Sequence, residues 1–526
     1  DKVVYWHDYF GTYDTPKDYR GHGTSVISVA CGSPYNTTDA NNRTILTENH
    51  YWDWSDDDYD PAKTWRYATN TFRADTNGNI TIEGTWFKED HSTINVKTFQ
   101  LRNENGNIVA SVNTPTRDKY YQLDYEINAT NHGKYTLEHS FGLDSNGYDA
   151  YGINLTLHLP ENNTNLDKLY GGVAPNCKIA ALRCIRGADD EDEILSAMNW
   201  VIENKNAYNI TSAVMSFKIN SKTVQDMADT LVENGIVVAC AAGNDYVGYN
   251  WAGSIYNSPA SADKVISVGA VNYNSSITDY SSQGGLNSNE NVIKPDLVAP
   301  GGVRTDFTYK NPAIYCADSN NGEFFNYNYS NGYEDFPEVV ENDTIGVSGT
   351  SYSAPFVAGV SQLIIEALGG INAWDYEEKD ALFVKSLLSM TATETWPNDR
   401  LLYPSYSPSL NRGGKDKHEG YGKINPDAAI DAIKKQIQVG SNHSANLYSI
   451  PYDNESKPYC WARKIYLPRK HYYNLTLEVP AGADFDLYVY DHDGDEYGEP
   501  IIRARSVNAT LGQDENLIEF EIGRAS

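Results

Sequence analysis

Residues 349–355 read Gly-Thr-Ser-Tyr-Ser-Ala-Pro, and this run decides how the whole chain is interpreted. The residues before it, 343–348, are polar and turn-like, whereas residues 356–366 are apolar with helical spacing. Ser351 is therefore predicted to lie where a loop enters a helix. The free backbone N–H groups and the positive end of a helix can stabilise an oxyanion there, which makes Ser351 a candidate nucleophile. Taken alone, a Gly-Thr-Ser run is more often a helix cap.

A histidine and an asparagine supply two further groups that such chemistry needs. His22 lies in Gly-His-Gly-Thr at residues 21–24, and its imidazole titrates near neutrality, so it is a candidate general base. Asn244 follows the buried-strand pattern of residues 237–243 and is a candidate hydrogen-bond donor to a tetrahedral intermediate. A serine, a base and an oxyanion donor together are the components of acyl transfer.

Four shorter phrases occur in a fixed order around these motifs. They are Gly-Val-Ala-Pro at 172–175, the apolar strand 265–271, Lys-Pro-Asp-Leu-Val-Ala-Pro-Gly at 294–301 and Gly-Tyr-Gly-Lys-Ile-Asn-Pro at 420–426. With the three motifs, they resemble the subtilisin-like serine proteases (subtilase family, peptidase S8) over most of residues 1–32 and 166–437. The resemblance implies an α/β fold with a mostly parallel sheet flanked by helices. It also implies a serine endopeptidase in which Ser351 forms an acyl-enzyme and His22 acts as general base and acid.

The catalytic aspartate that the family requires has no obvious place in this chain. In the family it precedes the histidine by a few tens of residues, at a strand end, but only 21 residues precede His22 here. We predict Asp8, Asp14 and Asp18 to be loop and turn residues. The triad aspartate is expected on a separate N-terminal fragment, paired as a strand beside residues 2–10. The alternative is that Asp8 or Asp14 takes its place.

Two segments are expected to form the walls of the substrate groove. The resemblance assigns one wall to residues 214–218 and the other to residues 241–243, so the candidate substrate-binding residues are Ser216, Phe217, Lys218, Ala241 and Gly243. The family usually has glycine at the position of Lys218, so a long cation is expected beside or in the groove. Asp245 is expected at the pocket rim. The acidic run 189–193 suggests a preference for basic residues, although it also suits the first turn of a helix.

Length and strand patterns predict three domains. The chain has 526 residues, which suits about three domains of ordinary size. Residues 33–165 interrupt the family pattern with six short alternating strands, at 79–86, 94–101, 108–112, 120–127, 134–139 and 151–159, and are predicted to form an inserted β-sandwich. Residues 445–526 are predicted to form a second one, because residues 484–491 resemble the bacterial pre-peptidase C-terminal domain.

Charge and sequons favour an extracellular or cell-surface glycoprotein. Lys+Arg 41 against Asp+Glu 71 gives a net charge of −30, which disfavours nucleic-acid partners. No apolar run reaches the ~18 residues that a membrane span needs. The chain carries fourteen Asn-x-Ser/Thr sequons, at Asn36, Asn42, Asn79, Asn128, Asn154, Asn162, Asn209, Asn274, Asn328, Asn342, Asn442, Asn454, Asn474 and Asn508.

Metal and cysteine signals are weak. Asp491, Asp493 and Asp495 alternate around a glycine as calcium ligands do, but a hairpin tip is the favoured interpretation. The acidic group Asp53, Asp56, Asp57, Asp58 and Asp60 is interpreted as a solvated loop. Structural calcium, with no catalytic metal, is therefore expected only from the resemblance. The six cysteines have no metal-type spacing, and an extracellular chain would allow one or two disulfides among them.

Two functions from different classes remain open from the sequence. The first is a secreted or cell-surface serine endopeptidase that acts on protein or peptide substrates. The second is a catalytically inactive surface glycoprotein that keeps the same scaffold for a structural or adhesive role. Retention of His22, Asn244 and Ser351 together favours the endopeptidase, since an inactive scaffold need not keep three catalytic identities.

Overall fold

The computed structural model describes most of the chain in two compact units. The first unit comprises residues 1–16, 177–304 and 348–526, and the second comprises residues 17–176 and 305–347. Within them, the described residues are 2–18, 21–32, 37–38, 44–54, 64–89, 94–114, 116, 119–143, 149–160, 171–187, 190–245, 255, 259–272, 275–284, 293–302, 314–317, 344–393, 395, 415–447, 460–508 and 510–521.

The first unit is built on parallel strands. β1 (Val3–Asp8) pairs with β11 (Ile179–Arg183), and a four-stranded sheet has the order β12 (Ser212–Met215), β13 (Val237–Ala241), β14 (Ile266–Val271) and β15 (Leu297–Pro300). β13 and β14 are buried along their whole length, as their continuous apolar runs predict for strands covered on both faces. Cys240, which the buried-strand pattern of residues 237–243 predicts to be buried, is 0% exposed in β13.

Among the residues that the structure describes in this unit, five helices pack around these strands. They are α2 (Glu191–Tyr208), α3 (Lys222–Glu233), α4 (Thr350–Leu368), α5 (Glu378–Thr391) and α6 (Pro426–Lys434), with short 3-10 turns at Pro259–Ser261 and Ile371–Ala373. α4 contacts all four strands of the four-stranded sheet. α2 begins with Glu191, Asp192 and Glu193, which favour the positive end of the helix as expected. The predicted α/β architecture of parallel strands flanked by helices is therefore confirmed.

The second unit contains α1 (His22–Cys31) and two antiparallel-rich sheets. The strands are β2 (Thr37–Thr38), β3 (Thr44–Trp54), β4 (Thr64–Ala74), β5 (Gly78–Glu89), β6 (Ile94–Asn103), β7 (Ile108–Asn113), β8 (Tyr121–Ile127), β9 (Gly133–Leu143), β10 (Asp149–His158), β16 (Ile314–Ala317) and β17 (Thr344–Val347). One sheet has the order β16-β17-β3-β10-β5-β8, with β2 paired to β3, and the other has the order β4-β9-β6-β7.

Side chains from these two sheets meet in a common core. Phe99 of one sheet contacts Tyr121 of the other, with ring centroids 6.4 Å apart, and Tyr125 likewise meets Tyr135 at 5.8 Å. All six segments predicted to be strands in residues 33–165 are strands. β3 and β4 were not predicted, because their sequences mix acidic and amide residues into the apolar pattern.

The C-terminal residues add short strands to the first unit. β18 (Gln436–Ile437) pairs with β19 (Lys464–Ile465), β20 (Tyr472–Leu477) with β23 (Glu515–Glu521), and β21 (Leu487–Tyr490) with β22 (Ile502–Ser506). Val479, Val489 and Leu517 are buried there. Alternating apolar residues at 472–479, 484–491 and 516–522 predict three strands here, which correspond to β20, β21 and β23. β22 was missed because Ile502–Ser506 is short and carries two arginines.

A buried charge cluster ties these C-terminal residues to the parallel sheet. Asp296, immediately before β15, accepts hydrogen bonds from Lys294 Nζ at 2.8 Å and Lys415 Nζ at 2.5 Å, and lies 3.4 Å from Lys385 Nζ. Glu499 lies 2.7 Å from Lys415 Nζ and accepts a bond from the Tyr421 hydroxyl. Burial alone would raise the pKa of Asp296, but the three ammonium groups outweigh it and hold that pKa below the ordinary value. The cluster thus depends on Glu499 for its second carboxylate.

Some sequence predictions fall outside the described residues or were only partly described. The acidic group of Asp56, Asp57, Asp58 and Asp60 lies outside them, as do seven of the sequons, at residues 36, 42, 162, 274, 328, 342 and 454. Cys177, Cys184 and Cys240 carry free thiols. Among the described residues, no helix combines the length and apolar character needed to cross a bilayer.

Candidate active site

Ser351 is the second residue of α4, at the loop-to-helix junction. The helix is preceded by Gly349, whose φ of 148° favours glycine. Gly349 itself has no side chain that could bind the first turn of α4. Instead, the Thr350 backbone N–H and the Thr350 hydroxyl both donate to Asn244 Oδ1, each at 2.9 Å. A residue from the end of β13 therefore caps the helix that carries Ser351.

This capping contact fixes the orientation of the Asn244 amide. A backbone N–H can only donate, so the atom facing it is Oδ1 and the Nδ2 group takes the other position. Nδ2 lies beside Gly349, where a Cβ atom would be only 3.3 Å from it. The Thr350 hydroxyl also accepts a bond from the Gly243 N–H at 3.1 Å. Thr350 was not predicted to be a site residue, although its place directly before Ser351 could have indicated it.

Ser216 binds the backbone of Ser351, the candidate nucleophile. Residue 355, four positions after Ser351, is proline and has no N–H, so the Ser351 carbonyl lacks its usual helical donor. The Ser216 hydroxyl donates to that carbonyl at 2.8 Å. The segment after β12 thereby stabilises the first turn of α4.

The end of β15 holds the turn before Ser351. The Gly349 N–H donates to the Gly301 carbonyl at 2.8 Å, and the Ser353 hydroxyl donates to the Ala299 carbonyl at 3.1 Å. The Tyr280 hydroxyl donates to the Gly301 carbonyl at 2.6 Å. Three strand ends, those of β12, β13 and β15, therefore fix the start of α4 at the carboxyl edge of the parallel sheet, where open α/β sheets bind ligands.

The two expected pocket walls lie where the neighbouring strands β12 and β13 leave the sheet. Ala241 ends β13 and is buried, while Gly243 has a φ of 112° and leaves no room for a side chain, since a Cβ would lie 2.8 Å from Ser282 Oγ. Phe217 is half-buried. Lys218 Nζ lies 2.5 Å from Asp245 Oδ2, and both side chains are 52% exposed. The ammonium group of Lys218 therefore binds Asp245, the expected rim residue, and links the two expected walls.

His22 is the first residue of α1, which belongs to the second unit. Burial lowers the pKa of His22 below 6.5, and the negative charge of Asp18 partly opposes that shift. Asp18 accepts bonds from the Thr24 N–H at 2.7 Å and the Thr24 hydroxyl at 2.9 Å. Asp18 therefore stabilises the first turn of the helix that begins with His22. That His22 Nε2 lies within hydrogen-bond reach of Ser351 Oγ stays a prediction.

Asp8 is the last residue of β1, although it was predicted to lie in a loop or turn, and its carboxylate binds the turn that follows. Its carboxylate accepts bonds from the backbone N–H groups of Phe10, Thr12 and Tyr13 at 3.0–3.1 Å, and Arg183 binds it at 2.8 Å. Four donors occupy this buried carboxylate, so it is poorly suited to orient a histidine.

The Asp491–Asp495 loop does not fit a calcium ion. Asp491 forms an ion pair with Arg503, and Asp493 binds His492 Nδ1 at 2.8 Å. Asp495 Oδ1 accepts bonds from the Tyr497 and Glu499 N–H groups at 2.9 Å. These donors hold the carboxylates as a hairpin tip does. In the parts of the chain that the structure describes, no group of three or more acidic, histidine or cysteine residues is placed to hold a metal ion.

Comparisons with known proteins find relatives over about half of the chain. The model of Peptidase_S8, the subtilase family, matches residues 156–422, about half of the chain. Subtilisin DY of Bacillus licheniformis is 27% identical over 258 residues, which cover 48% of this chain and 73% of that protein. The major intracellular serine protease of Bacillus subtilis is 26% identical over 277 residues, covering 52% of this chain and 73% of that protein.

Among solved structures, a protease from Pseudoalteromonas arctica PAMC 21717 is 24% identical over 50% of this chain and 65% of that chain, with a TM-score of 0.33. The residues matched by the family model include Ser216, Asn244 and Ser351, whereas His22 precedes them.

Proposed function

Because the chain belongs to the subtilase family and is a subtilisin-like serine endopeptidase, we propose that it cleaves peptide bonds through an acyl-enzyme on Ser351, with His22 as general base and acid. The observation that carries this proposal is the capped start of α4. Asn244 Oδ1 is held by Thr350, the residue before Ser351, so Nδ2 lies beside Gly349. A donor held in advance of the reaction stabilises an oxyanion without reorganising.

The proposed reaction has two halves. His22 takes the proton of the Ser351 hydroxyl while Oγ attacks the substrate carbonyl carbon, and the resulting oxyanion accepts bonds from Asn244 Nδ2 and the N-terminal end of α4. The intermediate collapses when His22 gives its proton to the leaving amine. Water then attacks the acyl-enzyme by the same route in reverse and releases Ser351. The burial that keeps His22 neutral suits the base of the first step.

The group that orients His22 is proposed to be an aspartate on a separate N-terminal fragment. Its support comes from two strand edges. In the described part of the chain, β11 pairs only with β1 and β12 pairs only with β13. α2 joins these two strands and packs on both sides, because its Trp200 stacks on Tyr5 of β1 at 4.1 Å and its Lys205 binds the Asn234 carbonyl after α3 at 2.6 Å. An added parallel strand would fit between β11 and β12 better than beside β1.

Ser351 is expected to react with a fluorophosphonate probe. The intact preparation, with any N-terminal fragment, should be labelled once per chain, and Ser351→Ala should abolish the labelling because no nucleophile remains. Ser361→Ala is the matched control: this serine is buried further along the same helix and its hydroxyl donates to the Val357 carbonyl, so its loss should leave the label on Ser351. Mass spectrometry of the labelled peptide locates the adduct. An unlabelled intact protein would favour the structural or adhesive glycoprotein instead.

The pH dependence of kcat/KM is expected to follow the neutral form of His22. Burial lowers the pKa of His22, so the imidazole stays neutral to lower pH than an exposed one. A carboxylate bound to Nδ1, such as the proposed aspartate, raises this pKa in turn, so the midpoint depends on both groups. Asp18→Asn removes a negative charge that raises the pKa of His22, so it should move the acid limb of kcat/KM to lower pH. An acid limb that does not move in Asp18→Asn would contradict the assignment of His22 as the base.

The setting of the reaction is proposed from composition and family. We place the enzyme outside the cell or on its surface, acting on proteins or peptides, with part of its sequons glycosylated. The net charge of −30 and the fourteen sequons support this placement. Structural calcium is common among subtilases and is proposed here without ligands, because the Asp491–Asp495 loop does not fit one.

A further inference from the structure

We propose that Ser282 is a positioning residue for the reaction: it binds the residues on both sides of Asn244 and thereby holds the Asn244 amide where the oxyanion forms. The inference rests on the proposed function of Ser351 and concerns how the donor of that site is kept in place. Ser282 is 0% exposed, so it acts through Asn244 and not on the substrate.

The Asn244 amide lies where the backbone needs support. β13 ends at Ala241, so Asn244 is three residues beyond the sheet, in a loop where both Asn244 and Asp245 are exposed. Exposed loops are more mobile than the strands that precede them. A displacement of about 1 Å at a group that acts on the transition state can lower the rate by about 10²-fold. Contacts that fix this loop are therefore expected to affect the rate.

Ser282 fixes the loop on each side of Asn244. The Ser282 N–H donates to the Gly243 carbonyl at 2.9 Å, and Ser282 Oγ accepts the Asp245 N–H at 3.1 Å. Gly243 and Asp245 are the two neighbours of Asn244 in the chain, so one residue holds the backbone before and after the amide. The approach is close, because a Cβ on Gly243 would lie only 2.8 Å from Ser282 Oγ.

These bonds join the contacts at the start of α4 in a closed ring. The Gly243 N–H donates to Thr350 Oγ1 at 3.1 Å, and the Thr350 N–H and hydroxyl donate to Asn244 Oδ1. Thr350 therefore fixes the amide oxygen, while Ser282 fixes the backbone that carries the amide. A donor is held in advance of the reaction only while both of these contacts are present.

The segment that carries Ser282 is itself fixed to two strands. The Tyr280 hydroxyl donates to the Gly301 carbonyl after β15, and Ser281 Oγ accepts the Ala270 N–H of β14 at 3.0 Å. Ser281 is 0% exposed, like Ser282, and each hydroxyl accepts one backbone N–H. The two serines differ in what they hold, since Ser281 binds β14 and Ser282 binds the loop of Asn244. Ser281 is therefore a matched control.

The experiment compares Ser282→Ala with Ser281→Ala by kcat and KM on one peptide substrate, corrected for the folded fraction. Ser282→Ala should lower kcat by about tenfold and keep KM within about twofold, because a displaced donor affects the transition state and not binding. Ser281→Ala should keep kcat within about twofold of the wild type. Adding Ser282→Ala to Asn244→Ala should lower kcat by less than about twofold, because the amide that Ser282 positions is then absent.

Three results would overturn the inference. They are a wild-type kcat in Ser282→Ala, an equal loss in Ser281→Ala, and a loss from Ser282→Ala that is as large without the Asn244 amide as with it. Each of them leaves the fluorophosphonate label on Ser351, so each is distinguishable from a failure of the proposed function. If the wild type itself is not labelled, the proposed function of Ser351 fails, and the inference fails with it.

Discussion

Replacing Asp296 with alanine is expected to destabilise the protein by about 3–5 kcal/mol, because it leaves buried ammonium groups without their carboxylate. The side chains of Asp296 and Lys294 are both 0% exposed, and Lys385 is 1% exposed. The Asp296 carboxylate also accepts the Ser267 N–H at 2.7 Å, so that donor would lose its partner as well. Urea unfolding of the purified protein, followed by fluorescence, gives the change in the free energy of unfolding.

Two controls identify the charge cluster as the cause. Asp226→Ala breaks the exposed pair with Lys222 and should change stability little, because exposed pairs contribute little. Glu499→Gln alone leaves three lysines against one carboxylate and should destabilise the fold. Adding Lys415→Met to Glu499→Gln removes one charge of each sign and should recover most of the loss. An Asp296→Ala variant as stable as the wild type would show that the cluster relaxes or takes up water.

Replacing Asn244 with alanine is expected to lower kcat by about 10²–10³, with little change in KM. Loss of the oxyanion-hole asparagine of subtilisin has an effect of this size, and the amide here is likewise held in advance by Thr350. The oxyanion forms only after the substrate has bound, so its donor acts on the transition state and not on binding.

Capping must be separated from catalysis in this variant. Asn244 also caps α4, and the lost cap contributes about 1 kcal/mol to stability. Thr350→Ser keeps the hydroxyl and the N–H that hold the amide, so it should retain most activity, whereas Thr350→Val should lower kcat by less than Asn244→Ala does. If kcat falls only in proportion to the fraction of unfolded protein, Asn244 is a cap and not a donor to the reaction.

The parts of the molecule that follow from short stretches of sequence were predictable. The apolar run before Asn244, the helical spacing after Ser351 and the alternating strands of residues 79–159 each report their own local environment, and the structure agrees with them. Local patterns are informative because the period of burial in a strand or helix extends over few residues.

The contacts that hold the site together were not predictable in the same way. The bond from Ser216 to the Ser351 carbonyl joins residues 135 positions apart, and it exists because Pro355 lacks an N–H. The capping of α4 by Asn244 joins residues 106 positions apart. Lys415 and Glu499 are 84 positions apart, and the sequence around neither residue indicates that the two are buried together. Such pairs are determined by the topology of the sheet, which a single sequence does not reveal.

The Glu499 contact also imposes an order of events during synthesis. Asp296 is made about 200 residues before Glu499, and at about 5–20 residues per second this interval is on the order of 10–40 s. Until then, the lysines around Asp296 lack their second carboxylate. β15, whose carboxyl end anchors the start of α4, therefore reaches its final stability only after Glu499 has been made. Completion of the candidate active site is thus expected to come well after the synthesis of Ser351 itself.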